Sequence, residues 1–222
     1  MFPLRDDRPT YTAPVVTTLL IVACALVFFY ELSLDEYSRD YFINRYGLVP
    51  AHMRPLTLVT SMFLHGGWAH IIGNMLFLWA FGKSLEDAMG HSKFLAFYLI
   101  CGVAAGIAHV ALNLYTTLPT VGASGAIAGV MGAYLVTFPR AKIHTLVFLF
   151  IFVTMADIPA AFILVYWFIT QLFSEYGSIS QTLVVNGGAA YAAHIGGFIS
   201  GMILVRLMGA RTRYFPRRDI YW

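Results

Sequence analysis

A single serine interrupts one of the most apolar parts of the chain, in Val121-Gly122-Ala123-Ser124-Gly125-Ala126-Ile127-Ala128-Gly129-Val130. A serine hydroxyl is a weak nucleophile and attacks only when a base takes its proton. His194, in Ala193-His194-Ile195-Gly196-Gly197, is a candidate base. His70 and Asn74 sit four residues apart, hence on one helix face, and offer two donors. Nucleophile, base and donors for a developing oxyanion are the parts of acyl transfer to serine. No Asp or Glu falls in the runs that carry Ser124 and His194, so the pattern is a Ser-His dyad without an acid.

The elements that must hold these residues are membrane helices. The 222 residues are 59% hydrophobic and 11% charged, with a mean hydropathy of +0.72, a composition outside the range of soluble domains. Apolar runs at 13–32, 68–82, 94–115, 124–138, 158–173 and 187–209 predict six spans of an all-α, polytopic protein forming one domain over 1–222. If both termini are cytoplasmic, 11 of the 14 Lys and Arg residues lie inside and only Arg39, Arg45 and Arg54 lie outside. A bacterial-type inner, or plasma, membrane fits that orientation. The basic residues, those of the tail at 210–222 included, form no stripe with interleaved aromatics, so nucleic acid is not a partner. Cys24 and Cys101 fall within spans and imply packing rather than a disulfide framework.

Span four is short. From Ser124 to Phe138 it reaches about 22 Å at ~1.5 Å per residue, against a hydrocarbon core of about 30 Å. With its inner end at Pro139-Arg140-Ala141-Lys142, its start lies below the outer surface, and backbone ending there needs protein or water around it. A hydrated cavity open to the outside is the expectation. Gly125, Gly129 and Ala133 form a small-residue ladder, as do Ala193, Gly197 and Gly201, so spans four and six are expected to pack closely and bring Ser124 to His194.

Taken together, Gly122-Ala123-Ser124-Gly125, His70-x-x-x-Asn74 and Ala193-His194-Ile195-Gly196-Gly197 resemble the motifs of the rhomboid intramembrane serine proteases, over residues of about 55 to 205. The resemblance implies a six-helix core with a structured outer loop between spans one and two. It also implies hydrolysis of peptide bonds in or beside the membrane segments of transmembrane protein substrates, with neither cofactor nor metal. Ser124 is then the nucleophile and His194 the base and acid. His70, Asn74 and the backbone of Ala123 stabilise the oxyanion, and Glu86 and Gly90 are structural. Two features depart from the family. Some members carry a tyrosine four residues after the serine, stacked on the histidine, where this chain has Ala128. The Trp-Arg pair of some outer loops is absent, Arg54-Pro55 being the nearest equivalent.

The remaining polar residues have plainer readings. His109 and Asn113 are expected to be structural, His65 to shape the loop before span two, and His52, His91 and His144 to have no special role. Asp157 is expected to cap the helix that follows it. The run 143–154 reads as interfacial or re-entrant, and its β-branched residues permit extended backbone. Glu31 to Met53, rich in Tyr and Phe, suits a loop in the headgroup layer. The rival functions are a catalytically inactive client-binding protein of the same fold and, with less support, a small transporter using the polar residues as a path.

Overall fold

A computed structural model describes residues 2–149, 152–180 and 191–210. The first residues of the run at 187–209 and the basic tail from Arg211 onward lie outside the described residues. In chain order the elements are β1 (Phe2–Asp6), α1 (Val15–Ser33), α2 (Glu36–Tyr46), α3 (Thr57–Thr60), α4 (Trp68–Met89), α5 (His91–Leu112), α6 (Ser124–Thr137), β2 (Lys142–Leu149), β3 (Phe152–Pro159), α7 (Ala160–Ser180) and α8 (Tyr191–Met208). The chain is mostly helical. Helices α1, α5 and α8 are long and apolar enough to cross a membrane, and they turn Leu19, Leu26, Ile107, Ile203 and Leu207 outward.

Helix α6 is the centre of the bundle. Every residue from Gly125 to Tyr134 is buried, among α4, α5 and α8. Its lack of bulk is what permits this. A Cβ on Gly125 would lie 2.7 Å from Ala105 Cβ on α5, and one on Gly129 would lie 2.7 Å from Cys101 Sγ. On the other side, Gly197 and Gly201 of α8 rest against the carbonyls of Gly125 and Gly129, and Gly132 rests against the carbonyl of Phe198. The two ladders therefore dock in parallel, as their spacing predicted. Around them Phe28, Leu78, Phe81, Leu85, Phe94, Phe97, Tyr98, Met131 and Tyr134 form the large side chains of the core.

The expectation of an all-α chain is corrected by a small antiparallel sheet of order β1-β2-β3 at the end of the bundle remote from Ser124. Its cause is legible afterwards: along β2 Ile143, Thr145 and Val147 are buried while Lys142 is exposed and His144 and Leu146 are partly so, the period of two that a half-buried strand requires. The described part of the run 143–154 is thus extended, as its β-branched residues permitted, and β2 pairs antiparallel with β3, Lys142 opposite Pro159 and Leu149 opposite Phe152. Asp157 does not cap α7. It lies in β3 directly opposite His144, whose Nδ1 its carboxylate contacts.

Two buried carboxylates tie the amino-terminal segment to this end. Asp6 accepts from Ser84 Oγ at 2.5 Å and Tyr134 Oη at 2.8 Å, with Lys83 Nζ at 3.3 Å. Glu86, as the structural reading expected, accepts from the backbone N–H groups of Val16 and Thr17, each at 2.8 Å, and from Thr17 Oγ1 at 2.7 Å. These are the otherwise unpaired donors at the start of α1, so the α4 carboxylate is the cap that α1's own Pro14 lacks. Gly90, with φ of +80°, then turns the chain from α4 into α5. Glu86→Ala leaves those buried donors unsatisfied and is expected to cost about 3 kcal/mol. Denaturant unfolding in detergent measures it, and an unchanged midpoint would contradict the capping role, whereas Glu86→Gln, which keeps a carbonyl acceptor, should lose less.

Candidate active site

Ser124 is the first residue of α6. In that position the N–H groups of Ser124, Gly125 and Ala126 have no carbonyl within the helix to bond. The first closed turn is the bond from Ile127 N to Ala123 O, at 3.0 Å. The preceding Gly122 has a φ of +122°, and its N–H is tied to Ser61 O at 2.9 Å. A non-glycine residue there would be strained in backbone, and it would also collide: an added Cβ would lie 2.6 Å from His70 Cε1 and Nε2 and 3.5 Å from Asn74 Nδ2. The two donors of α4 therefore converge on the peptide just before Ser124, through the space a side chain would fill.

His194, on α8, places Nε2 at 2.7 Å from Ser124 Oγ. The glycine contacts between α6 and α8 account for the proximity, since each member of the pair lies next to a residue of its ladder. For Ser124 to donate to Nε2, the imidazole must be neutral and carry its proton on Nδ1. Asn74 is buried, and its Nδ2 has no acceptor in the described protein. An amide donor kept without a partner beside a serine hydroxyl is a group able to meet a transient negative charge.

These four side chains border a cavity of about 570 Å³. Its remaining wall combines apolar residues, Phe77, Ile127, Met131 and Trp167, with Thr116 and Thr120 of the α5–α6 segment. At ~30 Å³ of liquid per molecule, there is room for several waters. The cavity expected from the shortness of span four is present at the start of α6.

The secondary polar residues act as supports. His109 Nε2 lies 2.8 Å from Thr120 Oγ1, and Asn113 Nδ2 donates to His109 O at 2.9 Å, so the α5–α6 segment that forms the cavity rim is held to α5. Paired backbone bonds between Leu48 and Thr120, at 2.8 and 2.9 Å, hold its other side. His65 donates its N–H to Glu31 Oε1 at 3.2 Å and sets Nδ1 3.2 Å from Phe63 O, shaping the entry to α4 as expected. Burial, with the neighbouring His70, pushes the His65 imidazole down to about 4, so it stays neutral at ordinary pH.

One contact was not foreseen. The indole of Trp167, on α7, lies 5.5 Å from the His194 ring at an interplanar angle of 42°, and Tyr191 presents an edge at 6.4 Å. Helical periodicity relates residues within an element and gives no register between α7 and α8, so no sequence signal pairs positions 167 and 194.

Comparison with known proteins agrees with the motifs. A family model described as the Rhomboid domain matches residues 52–211. Rhomboid protein 1, mitochondrial, of Saccharomyces cerevisiae is 32% identical over 153 residues, which are 67% of this chain and 40% of the yeast protein. Rhomboid protease GluP of Bacillus subtilis is 32% identical over 136 residues, 59% of this chain and 25% of that one. Presenilin-associated rhomboid-like protein A, mitochondrial, of Danio rerio is 29% identical over 143 residues, 63% and 35% of the two chains. The aligned region thus spans less than half the length of each of these relatives. Gly122→Ala tests the geometry before any substrate is known: it should displace His70 and slow labelling of Ser124 by a fluorophosphonate roughly 100-fold, the loss typical of one oxyanion donor. Labelling at the wild-type rate would mean that the convergence on Gly122 has no part in reactivity.

Proposed function

The chain belongs to the rhomboid family, and on that premise we propose that it is an intramembrane serine endopeptidase that cuts transmembrane proteins in or near their membrane segments. The observation that carries the proposal is the 2.7 Å contact between His194 Nε2 and Ser124 Oγ at the edge of a cavity with unpaired donors. In the reaction, His194 takes the hydroxyl proton as Ser124 Oγ adds to the scissile carbonyl. The oxyanion is met by the backbone N–H groups of Ala123 and Ser124, by Asn74 Nδ2 and by His70. His194 then gives its proton to the leaving amine, which departs and leaves an acyl-enzyme. Water enters the cavity, His194 takes a proton from it, and the second tetrahedral intermediate collapses to the free carboxylic acid and the regenerated hydroxyl. Every step runs on side chains and water, without a metal or cofactor.

The proposed placement is a six-span protein of the plasma membrane, α1, α4, α5, α6, α7 and α8 crossing it, with both termini cytoplasmic and the cavity open to the outside. Its support is the charge distribution: Lys83, Lys93, Arg140 and Lys142 gather at the sheet end, while α2, with its exposed Tyr37 and Tyr41, lies toward the cavity end, as headgroup-level aromatics do. The short α6 matters here too. Its 14 residues span about 21 Å at ~1.5 Å each, so a nucleophile at its start is below the surface yet within reach of water.

The proposed activity is tested by incubating the purified chain with a panel of single-span proteins and mapping cut sites by mass spectrometry. Ser124→Ala and His194→Ala should each lower cleavage at least ~1,000-fold while the unfolding midpoint holds. Cleavage retained by Ser124→Ala sinks the proposal. Client binding without cleavage by the wild type would favour the inactive reading, and solute flux through vesicles the transporter.

A further inference from the structure

Glycine contacts fix the backbones of α6 and α8 relative to each other, but they do not fix the His194 ring. The orientation of an imidazole about its two side-chain bonds is set by what its ring meets, the second bond having only a broad torsional preference of its own. A base aligned to within a fraction of an ångström needs something against its face. The residue one turn beyond Ser124, Ala128, is fully buried and carries only a methyl group. Among the described residues, an indole beside the imidazole comes from α7, a helix that carries neither member of the dyad.

Three aromatic contacts join α7 to α8 at this level. Trp167 lies 5.5 Å from the His194 ring and 6.1 Å from that of Phe198, which is one turn further along α8. Phe168 stacks on Phe198 at 4.6 Å with an interplanar angle of 24°. The pair Trp167–Phe168 thus brackets Phe198, and the same docking that stacks Phe168 sets the indole beside the imidazole. Helix α7 packs chiefly on α8, with smaller contacts to α6 and to the end of β3. Its position is therefore read chiefly by α8, at the level of the base.

We propose that Trp167 is the positioning residue of His194, and that through it the docking of α7 on α8 aligns the base with Ser124. The proposal rests on the Ser124–His194 reading above. Trp167 is not a catalytic residue in this scheme, because it acts through the imidazole. Trp167 also lines the cavity, so its contribution must be separated from that of a wall that merely touches substrate.

The experiment uses the full chain in detergent and in lipid vesicles, with Trp167→Leu, Trp167→Phe and Phe168→Leu beside the wild type. Leu keeps the wall apolar and removes the ring, Phe restores a ring, and Phe168→Leu loosens α7 without altering any residue that lines the cavity. Two rates are read: labelling of Ser124 by a small fluorophosphonate, which has no membrane segment to bind, and kcat and KM for a cleaved single-span protein. Trp167→Leu should slow labelling and lower kcat by ~10- to 100-fold, the scale of a misaligned base, with KM within about twofold. Trp167→Phe should recover most of both, and Phe168→Leu should lower both by less than Trp167→Leu does. Unchanged labelling in Trp167→Leu, or a loss confined to KM, would overturn the proposal in favour of a cavity wall. So would an equal loss in Trp167→Phe and Trp167→Leu, and so would a loss accompanied by a fall in unfolding midpoint that Trp167→Phe shares. A wild type that neither labels nor cleaves overturns the parent reading, and this one with it.

Discussion

The close approach of two helix backbones governs this structure. Gly197 and Gly201 touch the carbonyls of Gly125 and Gly129, and no side chain larger than hydrogen fits between them. Parallel helices in direct contact need a crossover, which α7 supplies, and the contact places residues 124 and 194 at the same height. Moving the helices apart by the width of a methyl group would lengthen the Ser124–His194 contact beyond a hydrogen bond. Apolar packing in a membrane gives little directional preference, since lipid is as apolar as leucine. The glycine faces supply the register that the hydrophobic effect does not.

A second constraint follows at the start of α6. A helix this short and this buried begins amid side chains, where its free N–H groups would ordinarily be a cost. Here the helix starts at a cavity lined by Ser124, Asn74 and His70, so water can reach donors that packed side chains would leave unpaired. The positive φ at Gly122 is part of the arrangement, because the missing side chain is the space through which His70 and Asn74 of α4 approach the start of α6. At the other end of the bundle, by contrast, the buried carboxylates Asp6 and Glu86 accept from Ser84, Tyr134, Val16 and Thr17.

The parts that were legible in the sequence are those whose signal lies within one element. Glycine spacing announced the α6–α8 contact, the four-residue interval of His70 and Asn74 announced a shared face, and the shortness of the Ser124 run announced the cavity. Contacts that join elements without a common period were not legible. Trp167 reaches His194 across a helix pair whose register is set by Phe198 and Phe168, and nothing local to position 167 encodes it. The sheet was legible only as a possibility of extended backbone at 143–154, because its pairing joins β2 to a third strand, β1, which α1, α4, α5 and α6 separate from it.

That third strand has a consequence for how the chain is made. Residues Phe2 to Asp6 pair with Asp6 opposite Ile143 and Phe2 opposite Leu146, and the Asp6 carboxylate bonds Tyr134 on α6. In chain order β1 precedes its partners, so it can pair only after α1, α4, α5, α6 and β2 have been produced. Its docking then reports that the central helix has arrived, so a strand made ahead of the bundle closes onto it only once α6 and β2 are in place.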